Sequence, residues 1–218
     1  MDFRENYVIS NNKVCLMVSK ALSQLKMLEK KSSKMRLAAE DWNEDWQKLI
    51  SIIMSAQSRD ETTIKIANSL FEKYSSLKEL SKANYFDVLK VFKSLNYNKT
   101  KTKNVISSAK ILFNEYEGKI PLDFNKLIEL PGVGRKTANV FLAELGKNNI
   151  GVDTHVAYIS KKLGWTKNKN VEKIESDLKE LFDKKDWRKI NPILVRFGKT
   201  FTSKKEKDFI LDKIKKIK

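Results

Sequence analysis

Apolar residues recur along this chain at spacings of three and four, with charged residues between them. That spacing places them on one face of an α-helix, whereas a half-buried strand would need strict alternation. The pattern predicts a mostly helical protein. The expected helices span about residues 12–30, 43–57, 60–74, 84–93, 101–117, 135–146, 152–163, 171–182, 187–198 and 204–217.

Residues that favour helix ends mark some of these boundaries. Asp41 or Asn43 can cap the second expected helix, because short polar side chains accept hydrogen bonds from the amides of a first helical turn. Gly118, Pro121 and Asp123 interrupt the helical pattern and predict a further short helix after them.

The chain is strongly basic, with 44 Lys and Arg against 27 Asp and Glu and a formal net charge of +17. Such a charge favours a polyanionic partner, because each phosphate that is neutralised releases condensed counterions. Nucleic acid is the first candidate. The alternative is that lysine-rich usage merely spreads charge over solvated faces, and the charge alone leaves both open.

Cysteine and histidine are almost absent, since Cys15 and His155 are the only ones. An intrachain disulfide, a cysteine-rich zinc site and a four-cysteine iron–sulfur cluster are therefore excluded. We expect Cys15 to be a small core residue. The sequence has neither a signal-peptide-like apolar core nor a run of about 18 apolar residues, so we expect an intracellular protein that does not span a membrane.

The segment LPGVGRKTANV at residues 130–140 predicts a helix-hairpin-helix. A short helix would end at Leu130, and a second helix would begin near Arg135. Between them, Gly132 and Gly134 allow backbone conformations and close approaches that larger residues forbid. Such a hairpin can aim backbone amides and a helix N-terminus at one phosphate, which grips DNA without recognising its sequence.

Two other phosphate-binding motifs are excluded at this segment. A dinucleotide-binding fingerprint would need a third glycine where Thr137 stands, and no strand pattern precedes it. A P-loop would need a Gly-Lys pair, which Arg135 interrupts, and a glycine where Glu129 stands. A hairpin that grips DNA and does no chemistry remains the alternative.

Three segments in order resemble the endonuclease III family of the helix-hairpin-helix DNA glycosylase superfamily. They are SAQSRD at 55–60, LPGVGRKTANV at 130–140 and VDTH at 152–155, and the resemblance extends over about residues 43–200. It implies that Lys136 is the nucleophile and Asp153 the essential carboxylate. Alternatively, either could be a solvated surface charge, and Asp153 could cap the following helix, a role compatible with catalysis.

The resemblance also implies residues that bind DNA. Gln57 would fill the gap left by an extruded base, and Tyr97 would form a wedge on the opposite strand, although Tyr97 could instead pack. Lys99, Thr100 and Lys101 can reach neighbouring phosphates. The expected DNA-binding residues are Gln57, Tyr97, Lys99, Gly132, Val133, Gly134, Arg135 and Thr137.

The fold that follows is all-α with two helical lobes. A helical barrel with the hairpin would span 40–147, and both termini, 1–39 and 148–218, would form the second lobe. Duplex DNA with a damaged base or an abasic site would lie in a cleft between the lobes, bound by a monomer, with Lys136 and Asp153 on opposite walls.

The implied chemistry is a lysine Schiff base. Lys136 would attack C1′ of a flipped nucleoside, expel the base and allow β-elimination to nick the strand. A lysine with its usual pKa is a poor nucleophile at neutral pH, so desolvation and a nearby charge such as Arg135 are needed. Asp153 would stabilise the positive charge that grows on the sugar. His155 is given no part.

The sequence departs from the family pattern near its end. Most relatives carry four cysteines there that bind an iron–sulfur cluster, but residues 200–207 are TFTSKKEK. We expect neither metal nor cofactor. A basic helix from Lys204 would replace the packing and phosphate contact of that loop; alternatively it is merely solvated.

By resemblance, the expected substrates are oxidised or saturated pyrimidines and abasic sites. Another lesion, such as a mismatched or oxidised purine, is the alternative within enzymes. A non-catalytic DNA-binding repair accessory protein is the alternative outside them. Retention of both Lys136 and Asp153 favours an enzyme, because gripping phosphate requires neither.

Overall fold

The computed structural model describes the backbone of residues 3–217 and the side chains of residues 16–217. Within the described chain all regular structure is helical, so the predicted all-α class is confirmed. Two short 3₁₀ turns, at Phe92–Ser94 and Lys184–Asp186, join the α-helices. The α-helices are α1 Phe3–Lys31, α2 Asp45–Ser55, α3 Asp60–Lys73, α4 Leu77–Ser81, α5 Tyr85–Val91, α6 Asn98–Glu115, α7 Phe124–Ile128, α8 Arg135–Glu144, α9 Thr154–Leu163, α10 Val171–Leu181, α11 Trp187–Thr200 and α12 Lys204–Lys215.

The chain divides into two compact units, residues 36–147 and residues 1–35 with 148–218. The observed division lies four residues before the predicted one at 39/40. Ala39 packs in the core of the first unit, and the Arg36 guanidinium donates to the Glu40 carbonyl at 2.7 Å. These contacts hold the segment in the first unit.

In the unit of residues 36–147, α2 is the central helix and packs against α3, α6 and α8. Leu49, Ile50 and Met54 of α2 are fully buried. Each such side chain stabilises the fold by about 1.5–3 kcal/mol relative to exposure. The hairpin and the loops beside it are therefore supported by a rigid core.

In the other unit, α1 packs against α10, α11 and α12, and α9 packs against α11 and α12. Gln24 of α1 lies inside this core, where its Oε1 accepts from Trp165 Nε1 at 2.7 Å. Cys15, predicted to be a core residue, lies outside the residues whose side chains are described.

One local prediction was wrong, and one short helix was missed. Neither Asp41 nor Asn43 caps α2: its N-cap is Glu44, whose amide donates to Gln47 Oε1 at 3.2 Å. Asp41 instead pairs with Arg36 at 3.4 Å. The short helix α4 was not predicted, and Ser76 caps it by accepting from the Glu79 amide.

Candidate active site

The predicted helix-hairpin-helix is present as α7, a tight turn and α8. Gly132 in the turn has φ of +84°. A Cβ there would lie 2.9 Å from Asn104 Nδ2 and 3.1 Å from Ile53 Cγ2. Both the backbone conformation and the close packing on α2 and α6 therefore require glycine.

One side of the hairpin is hydrogen-bonded to α6, and the space beside Gly134 is open. Ser108 Oγ of α6 donates to the Pro131 carbonyl at 2.7 Å, and Leu130 and Val133 are buried on either side of it. A Cβ added to Gly134 would meet nothing within 4 Å. Because Gly134 is the N-cap of α8, an anion can approach the positive end of this helix closely.

Side chains of the hairpin differ in what they can contribute. Arg135 is exposed, with its guanidinium 5.2 Å from the Phe124 ring centre. Lys136, the second residue of α8, is half-buried. Val133 and Thr137 are only 4% and 8% exposed, so their side chains offer little surface for a contact with DNA.

Gln57 and Tyr97 lie on two neighbouring loops of the same unit. Both side chains are exposed, Tyr97 to 65%, so Tyr97 does not pack in the core. Asn96 Nδ2 donates to the Gln57 carbonyl at 2.7 Å, which brings the loops together across 39 residues of sequence. Lys99, in the first turn of α6, is also exposed.

Lys101 corrects a prediction. It was expected to reach phosphates, but the residue is only 4% exposed and its Nζ donates to Ser58 Oγ at 2.7 Å. The sequence carried a signal for this, because Lys101 is in helical register with Val105 and Ala109, which are fully buried. The sequence carries no such signal for Ser58, the hydrogen-bond partner of Lys101, or for Asn96, the partner of Gln57.

Burial lowers the pKa of Lys101 from 10.5 to about 8, because desolvation disfavours the charged form. The folded state therefore binds fewer protons at this position than the unfolded state between those two pH values. Folding stability must then rise with pH across this interval. Below it, both states carry the charge and the full desolvation cost remains.

We expect this to appear as a pH-dependent difference between the wild type and Lys101→Met. The wild type should gain stability relative to the variant as pH rises from about 8 to 10.5, measured as urea unfolding free energies at several pH values. A difference that stays constant over this range would mean that Lys101 is solvated.

Asp153 lies in the unit formed by both termini, at the start of α9. Its Oδ1 accepts from the Val156 amide at 2.9 Å, so the carboxylate is the N-cap of this helix. The capping role considered from the sequence is therefore present. Asp153 is half-buried, and its second carboxylate oxygen takes no part in the capping hydrogen bond.

His155, two residues later, packs directly on the backbone of α11. A Cβ at Gly198 would overlap the His155 ring, so glycine is required for the contact. Asn191 of α11 also donates to the Gly151 carbonyl at 2.6 Å. These contacts fix the start of α9, and with it Asp153, against α11.

The basic C-terminal helix α12 packs within its own unit. Leu211 and Ile214 are buried, and the Tyr158 hydroxyl of α9 donates to Asp208. The expected packing role is therefore confirmed. Lys204 and Lys205 are exposed at the start of the helix.

The described residues contain neither a metal-ligand cluster nor a helix suited to crossing a membrane. No group of three or more His, Cys, Asp or Glu there is arranged to hold a metal ion. None of the described helices has the length and apolar character that crossing a bilayer requires.

Comparison with known proteins gives consistent matches. Residues 50–184 match the family described as HhH-GPD superfamily base excision DNA repair protein. Endonuclease III of Thermotoga maritima is 40% identical over 152 residues, 69% of this chain and 71% of that protein. Endonuclease III of Synechocystis sp. is 33% identical over 161 residues, 73% and 74% of the two chains. A solved structure of a trapped endonuclease III–DNA covalent intermediate matches with a TM-score of 0.77 and 27% identity, covering 85% of this chain and 88% of that one.

Proposed function

This chain belongs to the endonuclease III family of HhH-GPD base excision DNA repair proteins, and on that premise we propose which residues perform its chemistry and which lesions it removes. It is a DNA glycosylase with AP lyase activity. We propose that it acts inside the cell, as a monomer, on duplex DNA that contains a damaged base or an abasic site.

Lys136 is the proposed nucleophile. Its neutral amine attacks C1′ of the extruded nucleoside, the glycosidic bond breaks, and the base leaves with the bonding electron pair and takes up a proton. Loss of the amine proton and ring opening give a Schiff base. Loss of a C2′ proton then expels the 3′ phosphate by β-elimination. The position of Lys136 in the first turn of α8, directly after the hairpin, supports this role.

Asp153 is the proposed carboxylate. Positive charge develops on the sugar as the base departs, and a nearby carboxylate stabilises it more in the transition state than in the ground state. Asp153 can do this while its Oδ1 keeps the helix cap, because a carboxylate has two oxygens and several lone pairs.

Other residues are proposed to hold the DNA. The backbone of 132–137 binds a phosphate at the start of α8, and Arg135 and Lys99 add charge. Gln57 fills the gap in the duplex, and Tyr97 enters the opposite strand. Exposure of both side chains on adjacent loops supports these two assignments.

The proposed substrates are oxidised or saturated pyrimidines, and abasic sites after base loss. A panel of duplexes, each with one lesion, tests this under single-turnover conditions. Thymine glycol and dihydrouracil should be released faster than 8-oxoguanine or a mismatched adenine. Preferential release of a purine would contradict the proposed specificity, while leaving the family assignment intact.

Each reaction should also be divided in two, with only one half treated with hot alkali. A lyase nicks the strand without alkali, whereas a glycosylase alone leaves an alkali-labile site. Equal product in the two halves is expected. Strand breaks that appear only after alkali would contradict the role of Lys136 as a Schiff-base former.

We also propose that the protein works without an iron–sulfur cluster. A chain with one cysteine cannot supply four thiolate ligands. Purified protein should therefore contain no stoichiometric iron and show no visible cluster absorbance. Finding either would overturn this proposal.

The exposed start of α12 is proposed to bind DNA phosphates. Lys204→Ala with Lys205→Ala should weaken binding to damaged and undamaged duplex alike. It should also flatten the dependence of log affinity on log salt by about one unit for each phosphate that the variant no longer neutralises. An unchanged slope would mean that these lysines are solvated and that α12 serves packing only.

A further inference from the structure

Two loops of the unit formed by residues 36–147 hold exposed side chains on left-handed backbone. Gln57 has φ of 53°, and Tyr97, the N-cap of α6, has φ of 56°. Residues other than glycine seldom adopt this region, and they keep it only where surrounding contacts fix them. Both loops therefore need specific contacts to hold their tips.

Two hydrogen bonds join the Gln57 loop to the Tyr97 loop and to the first turn of α6. Asn96 Nδ2 donates to the Gln57 carbonyl, and Lys101 Nζ donates to Ser58 Oγ, each at 2.7 Å. The Lys101 amide also donates to the Tyr97 carbonyl at 3.0 Å, which places Lys101 one helical turn after Tyr97. The two cross-links thus lie on either side of Tyr97 and at consecutive residues of the other loop.

Lys101 and the tips differ sharply in exposure, whereas Asn96 is exposed like the tips. Lys101 is 4% exposed, as is Leu95 before the second loop, whereas Tyr97 is 65% exposed. Lys101 therefore anchors the Tyr97 loop in the interior, while Asn96 joins the two loops at the surface. The two cross-links thus extend from the interior of this unit to its surface.

The stability of the fold does not explain a lysine at position 101. Among the described side chains its ammonium has a hydroxyl partner, Ser58, and burial is the only cause that shifts its pKa, so no carboxylate compensates the charge. An apolar residue of similar size would avoid that desolvation. A functional role for its hydrogen bond would explain why a lysine stands at this position.

We propose that Asn96 and Lys101 are positioning residues that join the Gln57 loop to the Tyr97 loop, so that both tips enter the duplex as one unit. We call this pair of cross-links the tip clamp. The inference rests on the proposed roles of Gln57 and Tyr97. Because the clamp already fixes both loops in the free protein, no conformational entropy is lost in ordering them when the base is extruded.

The test measures extrusion separately from chemistry. Duplexes carry 2-aminopurine beside a thymine glycol, and its fluorescence rises as the neighbouring base leaves the stack. Asn96→Ala and Lys101→Met should each slow this rise by about fivefold to tenfold. Wild-type base release in the same duplex, measured in parallel, reports whether the proposed function itself holds.

Asn84→Ala is the matched control for Asn96→Ala. Asn84 is also an exposed asparagine of this unit, and its Oδ1 accepts from the Phe86 amide at 2.8 Å. Its replacement removes one hydrogen bond of similar length at the start of α5. Extrusion by this variant should match the wild type even if its Tm falls.

A double-mutant cycle distinguishes positioning from a general structural effect. If Asn96 acts through the two tips, adding Asn96→Ala to Gln57→Ala with Tyr97→Ala should slow extrusion no further than those two substitutions do together. Additive losses, or wild-type extrusion rates in both single clamp variants, would overturn the clamp. If Gln57→Ala and Tyr97→Ala both extrude normally, the proposed roles of the tips fail, and the clamp fails with them.

Discussion

Replacing Lys136 by alanine is expected to abolish strand nicking at abasic sites and to slow base release by at least about 1,000-fold, because removing the nucleophile removes the covalent route. Affinity for undamaged duplex should change little. The hairpin backbone, rather than this side chain, is the proposed phosphate grip. Single-turnover rates and salt-matched binding curves measure the two effects separately.

Lys110→Ala is the control for charge. Lys110 is an exposed lysine of α6 in the same unit, so its removal changes the net charge equally. Its rates should stay near those of the wild type. Nicking by Lys136→Ala at the rate of this control would remove Lys136 from its role.

The second large effect is expected for Asp153→Asn, which should release bases about 100-fold more slowly or worse if the carboxylate assists the reaction. Asparagine keeps an oxygen that can accept from the Val156 amide, and Asn and Asp are comparable N-caps. The substitution therefore removes the charge and keeps the cap. DNA affinity and Tm should change little.

Asp123→Asn supplies a matched control. Asp123 caps α7 by accepting from the Lys126 amide at 3.0 Å, in the same way that Asp153 caps α9. Its neutralisation should leave base release unchanged. A normal single-turnover rate in folded Asp153→Asn would sink the catalytic assignment and leave Asp153 as a helix cap.

The sequence predicts the long helices because each buries an apolar face in regular spacing, as Ile159 and Leu163 do in α9. It fails for α4, which is too short to show a period and, unlike α7, is not preceded by glycine or proline. The helix α4 has five residues and is defined by its Ser76 cap and by burial of Leu77 and Leu80. Such a segment is fixed by packing rather than by its own pattern.

The residues of the candidate site divide in the same way, into those that a local sequence pattern predicts and those that it does not. Lys136, Asp153 and the hairpin stand in local motifs, so their sequence context identifies them. The hydrogen bonds of Asn96 and Lys101 join positions 39 and 43 residues away, and no local pattern encodes such pairs. The charge of Lys101 predicts an exposed side chain, whereas its helical register with Val105 and Ala109 predicts a buried one.

Lys136 is proposed to form the covalent bond to DNA. Wild-type protein should be incubated with an abasic-site duplex in the presence of borohydride, which reduces a Schiff base to a stable amine. The trapped complex is then digested, and the cross-linked peptide is identified by mass spectrometry. We predict that the sugar remnant lies on Lys136; a remnant on another lysine or on the N-terminal amine, with Lys136 unmodified, would contradict this assignment.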